Sequence, residues 1–221
     1  TNSIKDTGYD VANSLRFDDG SSDNLTRTQD TADSRRKFTF SFWFKKTNVG
    51  TRQTIFNSEN GGNYIFLDFY EDKLWVYSQT GATINFNVKT TKVYRDVSSW
   101  YHIVIAFDTT LATSSDRIKI YTNGTQETAL DNTSYPSQNH DCEIGTTSHA
   151  FRLGTYAGSY QFLDGYLSEV VFIDNSQLDP TSFGEFNSDS PTIWQPIDVS
   201  GLTFGTNGFY LDFENASSLG A

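Results

Sequence analysis

Two groups of residues in this 221-residue chain have the types and spacing to do chemistry. The first is the run Asp18-Asp19-Gly20-Ser21-Ser22-Asp23-Asn24. Carboxylate and amide oxygens on a loop are the ligands that calcium selects. Asp18, Asp19 and Asp23 are therefore candidate calcium ligands, although no EF-hand spacing is met. The same residues equally make a solvated loop closed by Asx turns. The second group is aromatic and amide: Trp43, Trp75 and Tyr77 with Asn85 and Asn87. A pyranose has an apolar face and a polar rim, so flat rings beside amides are what recognises it. Each of these residues falls on the parity opposite its apolar neighbours. If their strands are adjacent, one sheet face carries a stripe of Trp, Tyr and Asn. The loop tyrosines Tyr156, Tyr160 and Tyr135 are further candidates. The competing reading is that loops or a neighbouring module cover the rings.

Other chemistries find little support. His102, His140 and His149 lack metal-ligand spacing and read as one buried strand histidine and two loop histidines. Cys142 is the only cysteine, so no intrachain disulfide forms, and Asp141 and Glu143 beside it raise a thiol pKa rather than activate it. No nucleophile-elbow motif is present. The net charge of −11 disfavours nucleic acid and anionic membranes, and the one basic cluster is Arg35-Arg36-Lys37. No run reaches transmembrane-helix length and no signal peptide is present, so membrane insertion is not expected. A chain that opens at Thr1 and holds no methionine reads as a piece of a longer polypeptide. The sequons at Asn24, Asn123, Asn132 and Asn215 are no more than chance supplies in a chain rich in Asn and Thr.

The elements that must position these residues are strands. Phe38 to Lys45 alternates, with Phe38, Phe40, Phe42 and Phe44 on one side, and reads as half-buried. Val11 to Phe17, Gln53 to Asn57 and Thr83 to Lys89 read as further strands. In the last, Ile84, Phe86 and Val88 alternate against Asn85 and Asn87. Asn63 to Tyr70 and Lys73 to Ser78 form a hairpin around Glu71-Asp72. Arg117 to Thr122 and Thr125 to Leu130 form another around Asn123-Gly124, a pair that tolerates positive φ. Trp100 to Phe107 and Tyr166 to Ile173 are apolar on both parities, as in strands covered on both faces. His149 to Thr155 and Ser159 to Asp164 lead into the latter. Residues 18–34 and 131–148 read as polar loops. Asp179 is placed to cap one helical turn with Pro180 at its first position. With 15% aromatic residues the core is built of rings, and the fold class is an all-β antiparallel sandwich in one domain.

The ordered phrases SLRFDDGSSDNL, FTFSFWFKKT, SSWYHIVIAFD, IKIYTNGTQ, FRLG and FLDGYLSEVVFID resemble the laminin-G-like, concanavalin-A-like jelly roll over about residues 12–186. A narrower likeness lies in RDVSSWYHIVIAFDTT, NGTQ, YPSQN, DGYLSEV, IWQP and GTNGFYLDFENASSLG. These are similar to modules of large virion proteins, fibres or other appendages, from tailed phages of marine bacteria. The resemblance implies a jelly-roll domain over 1–186. Residues 187–221 are then a return segment or the edge of a following module, since SLRFDDGSS near the start is similar to YLDFENASS near the end.

The fold also hosts glucanases, whose carboxylates follow a Glu-x-Asp-x-x-Glu pattern that sets acid and nucleophile roughly 5 Å apart. That pattern is missing here. Glu169 and Asp174 stand an odd number apart and point to opposite faces, and a turn separates Asp68 from Glu71-Asp72. The expectation is thus a non-catalytic recognition module on the exposed surface of a virion appendage, binding a bacterial surface polysaccharide. Its other partners would be virion proteins or modules of the same chain. No cofactor is required, and structural calcium is allowed. The alternatives are a structural or decoration module without ligand and, more distantly, a glycan hydrolase.

Overall fold

Four phenylalanines at every second position of one strand need a second apolar layer to lie against, and a sandwich supplies it. The computed structural model describes residues 9–29 and 31–215. Residues 216–221, the end of the C-terminal phrase quoted above, lie outside them. In chain order the strands are β1 (Leu15–Phe17), β2 (Leu25–Thr28), β3 (Lys37–Lys46), β4 (Gln53–Asn60), β5 (Asn63–Tyr70), β6 (Lys73–Thr80), β7 (Thr83–Val93), β8 (Tyr101–Asp108), β9 (Ile118–Thr122), β10 (Thr125–Gln126), β11 (Leu130–Ser134), β12 (Ala150–Leu153), β13 (Gly165–Asp174), β14 (Gly184–Phe186), β15 (Trp194–Pro196) and β16 (Phe209–Leu211). The first sheet runs β1-β13-β3-β8-β9-β10, with β16 also paired to β13. The second runs β11-β7-β6-β5-β4-β12-β2, and β14 and β15 form a small ribbon. This is the expected all-β antiparallel jelly roll.

The core is a ladder of rings. Phe38, Phe40, Phe42 and Phe44 of β3 are buried. Across the gap Phe40 meets Phe56 of β4 at 5.3 Å between centroids, and Phe44 meets Phe69 of β5 at 4.6 Å. Phe38 stacks on Phe107 at 4.2 Å, which in turn meets Phe86 of β7 at 5.8 Å. Each buried ring contributes roughly 1.5–3 kcal/mol. The other face of β3 is also covered, by the chain after β13, so the strand is not half-buried as its alternation implies. Val104, Val171, Ile173, Phe183 and Val199 make a second, smaller core there.

Four loop or strand assignments from sequence change. β2 lies within the expected loop 18–34, and β11 begins at Leu130 and runs into the expected loop 131–148. Both are short edge strands held by backbone pairing, so they carry no alternating pattern. The expected strand Thr125 to Leu130 stops at Gln126, where the chain crosses to the second sheet. Ser159 to Asp164 is not a strand; Tyr160 makes only a bridge to Tyr156. The Asn123-Gly124 turn forms as expected, with φ of 47° and 76°. Asp179 caps the turn Pro180–Ser182, accepting from Thr181 N at 2.9 Å.

The β5–β6 turn has two left-handed residues and no glycine, Glu71 at φ 56° and Asp72 at 59°. Asp72 holds it. Its carboxylate accepts from Lys46 Nζ, Gly50 N and Arg95 Nε, each at 2.8 Å. Lys46 and Asp72 are both buried. Burial alone would raise the Asp72 pKa, but the Lys46, Gly50 and Arg95 donors together hold it down at about 2. Removing the carboxylate leaves an ammonium buried without a partner, so Asp72→Ala is expected to cost about 3–5 kcal/mol in urea unfolding at neutral pH. The group sits below its ordinary 3.8, so its contribution is complete above that value and fades as pH falls toward about 2. The stability gap between parent and Asp72→Asn should therefore narrow across that window; a gap independent of pH would contradict the assignment.

Candidate functional site

The residues on the outer side of the second sheet form a face of rings. On β5 the even positions Tyr64, Phe66 and Tyr70 point outward, and on β6 the odd positions Trp75 and Tyr77 do. Antiparallel register sets Phe66 opposite Tyr77 and Asp68 opposite Trp75. Phe66 stacks on Tyr77 at 5.1 Å and takes the edge of Trp75 at 5.0 Å. Tyr70 lies 5.2 Å from Trp75 and is 39% exposed. The turn after β12, with Ala157 and Gly158 both at positive φ, lays Tyr156 edge-on against Tyr64 at 5.6 Å and Phe66 at 6.1 Å.

Polar groups fix these rings. Trp75 Nε1 donates to Asn87 Oδ1 at 2.7 Å. Tyr64 and Tyr77 both donate to Gln79 Oε1, at 3.1 and 2.8 Å. Arg52 lies over Phe66 and Trp75, 4.9 Å from each centroid, and its Nη2 contacts Asp68 Oδ2 at 2.6 Å. Burial pushes the fully buried Asp68 up to about 7, against the pull of Arg52. Around the rings Arg152 pairs with Glu59, Lys89 with Glu71 and Lys73 with Asp131. Among the described residues each cation that borders these rings lies beside a carboxylate, on a chain of charge −11.

The residues singled out from sequence divide accordingly. Trp75, Tyr77, Asn87 and Tyr156 come together. Trp43 does not: it belongs to β3 in the first sheet, where it stacks on His102 at 4.9 Å. Asn85 does not either. A bulge between β6 and β7 breaks the alternation there, leaving Ile84 54% exposed. Asn85 instead donates to Ser78 Oγ and Thr80 Oγ1, on the core-facing parity of β6. Tyr135 packs against the main core, while Tyr160 is exposed beside Tyr156. Sequence reasoning missed Tyr64, Phe66 and Tyr70, which the parity of β5 could have supplied, and Arg52, which no local pattern marks.

Ser41 and His102 resemble a nucleophile and its base but are wired the other way. Trp194 Nε1 donates to His102 Nδ1 at 2.9 Å, so the ring proton sits on Nε2 and is directed at Ser41 Oγ, 2.8 Å away. Burial lowers this histidine to about 3. A ring that donates to the hydroxyl cannot take its proton. Cys142 is buried, which raises its thiol pKa. Glu169 is turned outward by a bulge in β13 and accepts from Tyr9 and Tyr210, whereas Asp174 accepts from Asn207 N at the far end of the strand.

Among the described residues one group of carboxylates has cation geometry. Asp18, Asp19 and Asp164 place oxygens within 4.8 Å of one another. All-oxygen donors suit calcium in kind, but Arg16 Nη2 already pairs with Asp164 at 2.8 Å. Asp23 stands apart, its carboxylate accepting from Asp18 N at 3.1 Å.

The profile of the Laminin_G_3 family, described as the concanavalin A-like lectin/glucanases superfamily, matches residues 19–179, and the chain belongs to that family. No curated protein sequence matches it. Among solved structures it is similar to a native heptameric SAP-like pentraxin from Limulus polyphemus, with TM-score 0.52, 16% identity and coverage of 77% of this chain and 79% of that one. It is also similar to domains LG4-5 of the mouse laminin alpha1 chain, with TM-score 0.53, 12% identity and coverage of 86% and 46%. A third is domain 4 of AbnA, a GH43 extracellular arabinanase from Geobacillus stearothermophilus, solved with arabinotriose, with TM-score 0.50, 17% identity and coverage of 67% and 65%. At these identities the likeness is one of fold.

A cation at the Asp18–Asp19–Asp164 group must displace Arg16. Arg16→Ala is therefore expected to gain a larger rise in melting temperature per increment of calcium than the parent, because a ligand of the folded state alone raises the midpoint. Differential scanning fluorimetry with calcium and with EDTA reads this. Equal or absent responses in both proteins would remove the group as a cation site.

Proposed function

We propose that this concanavalin A-like module is a non-catalytic recognition domain that binds a neutral glycan through the ring face of its second sheet. The observation that carries the reading is Trp75, held by Asn87 in a field of rings and paired charges. A flat ring fixed in place pays little entropy when a sugar face stacks on it. With every cation paired, nothing on this face is left to attract a uronate or sulfate. The arabinotriose in one structural neighbour is a ligand of the same neutral class and supports the reading.

The carrier we infer is an appendage on the exposed surface of a tailed-phage virion, and the ligand a polysaccharide of the bacterial host. Support comes from the likeness of RDVSSWYHIVIAFDTT, DGYLSEV, IWQP and GTNGFYLDFENASSLG to modules of such virion proteins. One shallow site binds weakly; many copies on one particle multiply it. In such an array the segment after residue 186, whose β16 returns to pair with β13, would be the return segment, or in its last part the edge of a following module.

On a glycan array the multimerised domain is expected to bind neutral bacterial polysaccharides. Trp75→Ala should weaken binding by about tenfold or more, the equivalent of about 1.4 kcal/mol. Added salt should leave it unchanged, since no net charge is engaged. Silence across the array, or binding indifferent to Trp75, would favour a purely structural virion module.

A further inference from the structure

A second cleft lies on the opposite side of the sandwich, against the outer face of the first sheet. It has a volume of about 310 Å³ and is lined chiefly by Trp43, Trp100, Ser168, Asn13, Ser14 and Pro196. That volume is at the small end of ligand pockets, which run from roughly 300 Å³ upward. Trp43 and Ser168 are direct partners across β3 and β13. The lead-in to β1 is tied down beside them by Ser168 Oγ donating to Asn13 O at 2.6 Å.

The chemistry of the lining narrows what fits. None of the lining side chains is charged. Trp43 is rigid, because it stacks on His102 and His102 is held by Ser41 and Trp194. Trp100 is 37% exposed and touches Tyr166 at 6.4 Å. Among the described residues neither indole N–H has an acceptor, and the Asn13 amide and Ser14 hydroxyl are also unspent. The cleft therefore joins two flat apolar surfaces to a surplus of hydrogen-bond donors.

We propose that this cleft is a second ligand site, for one uncharged saccharide residue that stacks on Trp43 or Trp100 and offers ring, hydroxyl or acetamido oxygens to the indole N–H groups and Asn13. It shares no side chain with the ring face around Trp75. The module is then bivalent, with one site on each side, and two sites joined in one body raise effective concentration without any new contact.

The chain has four tryptophans, at 43, 75, 100 and 194, so 5-fluorotryptophan labelling gives one fluorine signal for each. The probes are the methyl glycosides of glucose, galactose, mannose and N-acetylglucosamine, titrated one at a time. At least one is expected to shift the Trp43 and Trp100 signals together, saturating at about millimolar concentration as a single shallow site should, and to leave Trp194 still. Ala12→Arg fills the cleft from an exposed position, sparing the Trp43–His102 stack, and is expected to abolish those shifts. Trp75→Ala is expected to preserve them. If no glycoside moves Trp43 and Trp100, or if Ala12→Arg leaves the shifts intact, the second site is refuted. Movement of Trp75 alone would refute it while sustaining the ring face, and movement of Trp43 and Trp100 alone would do the reverse.

Discussion

The interlocking of rings from the two sheets is the constraint from which the rest of this molecule follows. Phe40 against Phe56 and Phe44 against Phe69 hold β3 over β4 and β5. With a side-chain period of two, a slip by one residue would expose every ring at once, so the register of both sheets is fixed by the same contacts. Fixing β5 inward fixes it outward as well. Phe69 in the core puts Tyr64, Phe66 and Tyr70 on the other side, and the ring face is the reverse of the packing pattern.

Where side chains alternate without interruption, the structure could be read from sequence. β3 and β6 are of this kind, with Trp75 and Tyr77 on β6, while the β5–β6 hairpin and the Asn123-Gly124 turn were marked by their turn residues. The failures have physical causes of other kinds. A bulge inserts one residue and reverses parity, which moved Asn85 off the face and Ile84 onto it. Parity also says nothing about which sheet a strand joins, so Trp43 and Trp75 looked alike while lying in different layers. Contacts between distant segments left no local trace: Arg52 over Phe66 and Trp75, His102 between Ser41 and Trp194, and Asp164 beside Asp18 and Asp19. Polar edge strands such as β2 and β11 owe their form to a neighbour's backbone rather than to their own residues.

The buried charges divide by purpose. Lys46 and Asp72 are fully paired and brace a turn that would otherwise be strained, because two consecutive left-handed residues without glycine carry a cost of roughly 1–2 kcal/mol each. Asp68 instead anchors the half-buried Arg52, which lies over the rings of Phe66 and Trp75. Arg52 draws on those rings for attraction as well as on its carboxylate, and so helps to hold them in place. The Trp194 indole performs a comparable service on the other side, packed so close to Gly124 and Gly184 that a methyl group at either would lie within 2.6 Å of it.

Tyr9 and Tyr210 share Glu169 and stand 3.0 Å apart, while β1 and β16 lie end to end along one edge of β13. The incoming and outgoing backbone therefore meet at one spot. Tension drawn along such a polypeptide would pass across that spot and be borne first by the tyrosine–glutamate clamp and the short β16 pairing. The ring-packed body would hang to one side of that path, with the outer side of the second sheet turned to the surroundings.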